Sequence, residues 1–356
     1  MSVRKPRPVL TPLAEFPVDP VVAALPKADL HLHQEGKARV DRLVARRQGR
    51  EAYDWCAWAR RVLAETPPGM GRLGAVYVPD DALDLDGASD DDPDLFIARV
   101  ADTLEEGAAD GAVLIEVRFG ITLAGSPPDF MPLFREAERR VQARYPRLRA
   151  EAVGFLHVAD DPGLVAEAER WLEACLAAAR EGLGGVDFRV DPYDTEADPA
   201  LWGIAHRLAA RAADAGLGVT VHAGEFSTAN LAAALRTPGL RRLGHAVYAA
   251  ADQALLAEIA RRGVTVECSL SCNVILGAAP SYEDHPIRRF VDVGVPVTLN
   301  TDLPLHACTT IGREYAIAAA LGFSPADLLG FTRNAVRASF ASEARRTALL
   351  AELAVR

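Results

Sequence analysis

A chain of 356 residues, 50% hydrophobic and 25% charged, can bury one large core or two smaller ones. Its formal charge of −10, with no basic cluster to grip phosphates, excludes nucleic acid and anionic membrane surfaces as expected partners. No long apolar run reaches membrane-spanning length, and the charged, proline-bearing start Met1-Ser2-Val3-Arg4-Lys5-Pro6 does not read as a signal peptide. Five cysteines, Cys56, Cys175, Cys268, Cys272 and Cys308, fit free thiols in a reducing cytoplasm better than a disulfide framework.

Residues 1–24 are proline-rich without a clear period and read as an arm; residues 25–356 read as a single domain. The first strand is Ala28–His33, where apolar and polar residues alternate from Leu30 onward. Successive strand side chains point to opposite faces, so His31 and His33 project one way and Leu30 and Leu32 the other. Gly36 breaks the strand. Val40–Arg50 and Tyr53–Glu65 read as helices, and Thr66-Pro67-Pro68-Gly69 ends the second. Next comes a segment dense in aspartate, from Asp80 to Asp94, which lacks the spacing of an EF-hand calcium loop. Leu95–Ala109 is helical again. The whole stretch 34–111 is too long for a plain connection and reads as an insertion, a lid over whatever lies at the strand ends.

Beyond it the pattern is regular. Strand-like runs occur at Ala112–Phe119, Ala152–His157, Val186–Val190, Gly218–His222, Arg241–His245, Val264–Leu270 and Val295–Thr301. Amphipathic stretches such as Phe134–Arg144, Leu164–Glu181, Leu201–Ala215 and Gln253–Arg262 separate them. With the first strand these make eight, mostly alternating with helices, which implies an α/β fold: a (β/α)₈ (TIM) barrel with its catalytic residues at the C-terminal strand ends. Ser324-Pro325, an N-cap followed by proline, opens helices that close the chain.

The chemistry-bearing residues cluster at those strand ends. Strand five ends in His222-Ala223-Gly224-Glu225, strand six in Gly244-His245 and strand eight in Thr301-Asp302. His31, His33, His222 and Asp302 would converge on the barrel axis as a set of three imidazoles and one carboxylate, which suits zinc with an open position for water. Glu225, just past a ligand strand, can move protons beside such a metal without binding it, and His245 can orient the water. His157 ends strand three, placed to stand behind the ligands, and His306 follows Asp302, placed to touch substrate; a structural role is equally open for each. Cys268 and Cys272, four apart, would share one face of a strand, with no second pair to complete a zinc knot.

Taken together, H-x-H on strand one, H-A-G-E on strand five, G-H on strand six and T-D-x-P on strand eight resemble the adenosine/AMP deaminase family of the amidohydrolase superfamily. So do Glu116-x-Arg118 on strand two and His285-Pro286-Ile287-Arg288-Arg289 before strand eight. The resemblance implies one zinc per chain on His31, His33, His222 and Asp302, with no carboxylated lysine, because strand four ends without one. It implies Glu225 as the residue that protonates the ring nitrogen beside the attacked carbon, His245 as the water's partner, and Glu35 as a contact for the ribose 5′ end. At the family's base-reading positions this chain differs: Leu303 stands where a second aspartate meets purine N7, and Val190 where a glycine amide meets the purine. Ser269-Leu270-Ser271-Cys272-Asn273 replaces C-P-x-S-N, and Gln34 and Lys37 are also unusual. The expected function is a cytoplasmic, zinc-dependent deaminase of an adenosine-like nucleoside or related aminated purine, with a small molecule as its partner. A deaminase of a non-purine or modified heterocycle, and a silent binding protein on the same barrel, remain as alternatives.

Overall fold

The computed structural model describes residues 10–15, 18–34, 45–46, 48–76, 92–119 and 130–354. Glu35, Lys37 and most of the acidic stretch lie outside them. The chain opens with α1 (Pro20–Ala24), β1 (Lys27–His33), α2 (Trp55–Glu65), α3 (Met70–Val76) and α4 (Pro93–Ala109). It continues through β2 (Ala112–Phe119), α5 (Phe130–Gln142), β3 (Arg149–Val158), α6 (Pro162–Ala179), β4 (Gly185–Val190), α7 (Pro199–Asp214) and β5 (Gly218–Ala223). Then come α8 (Leu231–Leu235), β6 (Leu240–His245), α9 (Gln253–Arg262), β7 (Thr265–Cys268), α10 (Leu270–Leu276), α11 (Ile287–Asp292) and β8 (Val297–Leu299). Three helices end it: α12 (Ile311–Ala320), α13 (Pro325–Ala338) and α14 (Glu343–Ala354).

The eight strands pair in parallel and in sequence order, β1 to β8, as the expected barrel requires. One local device starts many of its helices. Asp92-Pro93, Asp161-Pro162 and Asp198-Pro199 each place proline in the first turn, while the aspartate side chain accepts from a free backbone N–H. Ser324 does the same for α13 with a full capping box to Asp327. Helix α4, at the end of the expected insertion, packs against β2 and α5 as an outer helix of the barrel.

Closure between β1 and β8 falls to three residues just past β8. Asn300 accepts the Leu30 N–H at 3.0 Å, and the Thr301 hydroxyl donates to Asp29 at 2.6 Å. Asp302 N–H donates to the His31 carbonyl at 2.6 Å, and His33 N–H donates to the Asp302 carbonyl at 2.9 Å. This arrangement shortens two of the expected strands. β8 is only Val297–Leu299 because residues 300–302 turn to reach β1, and β7 stops at Cys268 because Leu270–Leu276 coils into α10. Cys272 is therefore helical and shares no strand face with Cys268. The expectation of five free thiols is also corrected. Cys56 and Cys308 form a disulfide across 252 residues with Cα atoms 5.4 Å apart, within ordinary disulfide range. Cys175, Cys268 and Cys272 are free and buried. Among the described residues no helix is long and apolar enough to cross a membrane.

Apolar side chains fill the layer between sheet and helices: Leu32 packs in the main core, and Leu30 meets Val336 and Leu353 of the closing helices. The barrel interior is different, holding Asp29, Glu116, Arg118, Asp187, Arg242 and Glu267, none more than 1% exposed. Phe340 plugs its N-terminal end. Its ring lies against Gly185 and Gly218, where any Cβ would collide with it, and the Arg242 guanidinium stacks on it 3.6 Å from the centroid. Phe340→Ala would empty that plug, so we expect a loss of about 3–5 kcal/mol in equilibrium urea unfolding. A loss under about 1 kcal/mol would show that the plug is dispensable.

Candidate metal and catalytic site

Strand β1 delivers His31 and His33 to the inner face at its C-terminal end, as alternation dictates, and β5 delivers His222 across from them. Gly244 of β6 leaves room for the His31 ring, since a Cβ there would meet its Cε1 at 2.9 Å. The three Nε2 atoms stand 3.0, 3.1 and 3.2 Å from one another. Asp302 Oδ1 lies 3.6 Å from His31 Nε2 and 3.5 Å from His33 Nε2. Four ligands held about 2.0–2.2 Å from one ion at tetrahedral angles would stand about 3.3–3.6 Å apart. The Asp302 distances fall in that range and the imidazole distances just below it, so the donor set suits one small metal ion such as zinc.

The partners on the far side of each ring point the same way. His31 Nδ1 lies 2.8 Å from Glu267 Oε2 and His222 Nδ1 lies 3.1 Å from Asp187 Oδ1. Bonding to a carboxylate places the ring proton on Nδ1 and leaves each Nε2 with a lone pair aimed at the shared centre. Burial, reinforced by the Arg118 charge, drives His31 well below the usual imidazole range, so the ring is neutral. Lone pairs this close repel each other unless a cation sits among them. Arg118 holds both carboxylates in place, pairing with Glu267 at 2.6 Å and with Asp187, and donating to the Leu30 carbonyl. Burial disfavours the Asp187 charge, but His222 and Arg118 outweigh it and hold this carboxyl below its ordinary range. A lower tier, Glu116–Arg242–Glu267, continues the ladder at 2.6–2.7 Å.

Two more groups face the same centre. His245 and Asp302 both adopt left-handed backbone, at φ 67° and 61°, a conformation that L residues hold only when their surroundings impose it. At His245 this turn brings the ring to 4.8 Å from His31 and 5.2 Å from His222, centroid to centroid. Glu225, also buried, follows Gly224, whose φ of 73° turns the chain out of β5. Burial first, and the Asp302 charge second, push its carboxyl up to about 8. His245 Nε2 lies 3.7 Å from Glu225 Oε2 and 4.0 Å from Asp302 Oδ2, separations that one water can bridge.

A chain of hydrogen bonds decides which His245 nitrogen carries the proton. Ile287 N–H donates to His285 Nδ1, leaving His285 Nε2–H to donate to Asn273 Oδ1 at 3.2 Å. The Asn273 amide then donates to Glu225 Oε1 at 3.2 Å and to His245 Nδ1 at 3.1 Å. His245 thus presents Nε2–H to the centre. Burial alone holds His285 down to about 3, so the chain stays neutral at its origin.

A cavity of about 30 Å³ opens beside these groups, lined also by Leu73, Phe155, Arg189, Tyr193, Leu276 and Leu303. It is far below the roughly 300 Å³ at which pockets for whole small molecules begin. The covering wall is α2–α3 against α10: Gly69 N–H donates to the Leu276 carbonyl at 2.7 Å, and Arg72 spans the carbonyls of Leu63, Thr66 and Ile275.

The structure therefore brings together His31, His33, His222, Asp302, Glu225, His245 and Leu303. Val190 is buried in the core beside the cavity rather than in its lining, where its neighbour Arg189 stands instead. His306 packs between Trp55 and Trp58, at 4.7 and 5.3 Å. His157 lies at the rim, 2.5 Å from Asp191. Glu35 lies outside the described residues. Sequence reasoning did not single out Asp187, Glu267, Asn273, Arg189 or Tyr193. The signal for Glu267 is a carboxylate inside the apolar run Val264–Leu270; Asp187 and Arg189 break Val186–Val190 in the same way.

Comparisons with known proteins agree with this geometry. The family model described as Adenosine deaminase matches residues 100–355. An adenine deaminase of Rhizobium leguminosarum bv. trifolii is 43% identical over 144 residues, 40% of this chain and 45% of the relative. The match thus spans under half the length of that curated relative. The crystal structure of adenine deaminase from Arthrobacter aurescens superposes with TM-score 0.73 at 22% identity, over 93% of this chain and 98% of the other. An amidohydrolase of Burkholderia ambifaria with bound zinc gives TM-score 0.72 at 20% identity, over 97% of this chain and 95% of the other. At these identities the two structures establish the barrel fold.

Glu267→Gln keeps the shape of the His31 partner and removes its charge. We expect metal affinity, measured by chelator competition, to fall about 10–100-fold with the circular dichroism unchanged. An unaltered affinity would remove Glu267 from the site.

Proposed function

We infer the activity from one premise: the chain belongs to the adenosine deaminase family. It is a hydrolytic deaminase of an aminated nitrogen heterocycle that uses one zinc ion per chain. The observation that carries this reading is the meeting of three imidazole Nε2 atoms and the Asp302 carboxylate beside Glu225, a buried carboxyl whose pKa is raised to about 8.

His31, His33, His222 and Asp302 would hold the ion. Zinc, when bound, lowers the pKa of a water ligand from 15.7 toward about 7. The protein's own groups do the rest. Asp302 and His245 orient the attacking water. Glu225, kept protonated by its burial, gives its proton to the ring nitrogen next to the amino-bearing carbon, which makes that carbon electrophilic. The water oxygen bonds to the carbon, the carbon–amine bond breaks with its electron pair on nitrogen, and the amine leaves as ammonia. Protons from the water pass through Glu225 to the departing amine, so the balance is amine plus water giving oxo product plus ammonia. The zinc-bound structure of the Burkholderia relative supports the choice of metal.

The substrate ring is a free base rather than a nucleoside. The name of the rhizobial relative, an adenine deaminase, supports this reading. Leu303 lines the cavity next to Asp302 and offers no hydrogen bond to a ring nitrogen. Adenine is accordingly expected to fall at least about 10-fold below its 7-deaza analogue in kcat/KM, the worth of one missing hydrogen bond to a buried group.

Ammonia release from a panel of aminated bases tests the reading. Glu225→Gln should keep one equivalent of zinc by elemental analysis and lose about 10²–10⁴-fold in turnover, while His222→Ala should lose the zinc itself. Near-normal turnover in Glu225→Gln, or two zinc equivalents in an active preparation, would reject the assignment.

A further inference from the structure

The cavity walls differ sharply in polarity, and the difference constrains what ring they accept. The strand order places β4 beside β5, which carries His222 and leads into Glu225, whereas Asp302 and Leu303 stand on the β8 side. On the β8 side the lining beyond Asp302 is apolar, with Leu303 joined by Leu73 and Leu276. On the β4 side Phe155 of the neighbouring β3 is joined by two polar residues, Arg189 and Tyr193. Arg189 points inward two residues beyond Asp187, and its guanidinium lies 4.9 Å from the centroid of the Tyr193 ring. Tyr193 is only 4% exposed. Its hydroxyl lies beside Glu225 yet has no well-formed hydrogen bond among the described residues. A hydroxyl in a cavity wall that meets its neighbouring carboxyl only at poor geometry loses little by turning to a ligand atom, because it gives up no good hydrogen bond.

Resting on the deaminase reading above, the ring's orientation follows. The amino-bearing carbon faces the imidazoles, the next ring nitrogen meets Glu225, and the ring carbon beyond that nitrogen comes to Tyr193 and Arg189. We propose that Tyr193 and Arg189 form a subsite for an oxo group on that carbon, so that the substrate is an amino-oxo base: a 4-amino-2-oxopyrimidine or a 6-amino-2-oxopurine. The hydroxyl donates to the oxo oxygen, and the guanidinium, held by Asp191 through two 3.1 Å bonds, supplies positive charge beside it. On the opposite edge the pyrimidine presents carbon to Leu303 and the purine presents a nitrogen, so the pyrimidine is the better fit. A plain 6-aminopurine offers the Tyr193 hydroxyl no acceptor. Sites built to bond a substrate oxygen discriminate strongly against analogues lacking it.

The test uses matched pairs that differ only in the oxo group: cytosine against 4-aminopyrimidine, and 6-amino-2-oxopurine against 6-aminopurine. The oxo member of either pair should have at least about 10-fold higher kcat/KM, and Tyr193→Phe should erase that preference while lowering the des-oxo rates little. A Tyr193→Phe loss that is equal on all rings would mean that the hydroxyl only positions Glu225, and would overturn the subsite. So would equal or better rates for both des-oxo rings, although ammonia release from them would leave the deaminase reading standing. Binding supplies a readout independent of turnover. In equilibrium dialysis against metal-stripped protein, 2,6-dioxopurine should bind at least about 10-fold tighter than 6-oxopurine, and Tyr193→Phe should level them. Equal binding to the unmodified protein would overturn the proposal even if no ring released ammonia.

Discussion

The structure depends on the backbone of Asp302. Its N–H and carbonyl bond to His31 and His33, the two ligand-bearing residues of β1, and so complete the join between first and last strands. The residue must adopt φ 61° to do this, which an L residue accepts only under constraint. The same turn aims its carboxylate at the three imidazoles. Closure of the barrel and assembly of the donor set are thus one event. Asn300 and Thr301 reinforce it from the side-chain direction by bonding to Leu30 and Asp29.

Beneath the donors, the barrel is filled with charge where such barrels ordinarily hold branched apolar layers. Buried ion pairs cost about as much to desolvate as they return, so the ladder of Glu116, Arg242, Glu267, Arg118 and Asp187 is weak evidence for stability. Its value lies in orientation. Arg118 fixes Glu267 and Asp187, and these fix the His31 and His222 tautomers. Removing any one member leaves an uncompensated charge among buried side chains. On the other side of the centre, the neutral chain His285–Asn273–His245 achieves the same end with amides and imidazoles. The ionic arm prepares nitrogens to bind a cation, and the neutral arm prepares an N–H to face water.

The mouth is governed by elements far apart in sequence. Helices α2 and α3 reach over it, tied to α10 by Arg72 and Gly69 and to the loop after Asp302 by the Cys56–Cys308 disulfide. That loop also carries Leu303, so the cover and the apolar wall are joined to one another. The polar wall belongs to β4 and its exit loop instead. The two walls of the cavity thus come from different parts of the chain.

Much of this was legible in the chain itself because strand chemistry repeats every two residues. Alternation in Leu30-His31-Leu32-His33 already separates ligands from core, and both leucines do pack outward. Eight apolar runs alternating with amphipathic stretches define the barrel, and the rule that chemistry sits at C-terminal strand ends collects His222, Glu225, His245 and Asp302. Period alone misleads at the turns: with Gly244 facing inward, His245 should face outward, and only its left-handed backbone returns it to the centre. Partners distant in sequence were equally hidden. Glu267 and Asp187 acquire meaning only when β7 and β4 stand behind the histidines, Cys56 meets Cys308 only once α2 covers the barrel, and Arg189 replaces Val190 as wall because β4 ends in that register. Local patterns determine which residues can make strands, helices and ligands. Which of them meet is decided by closure, since a parallel barrel joins residues that the chain keeps tens or hundreds of positions apart.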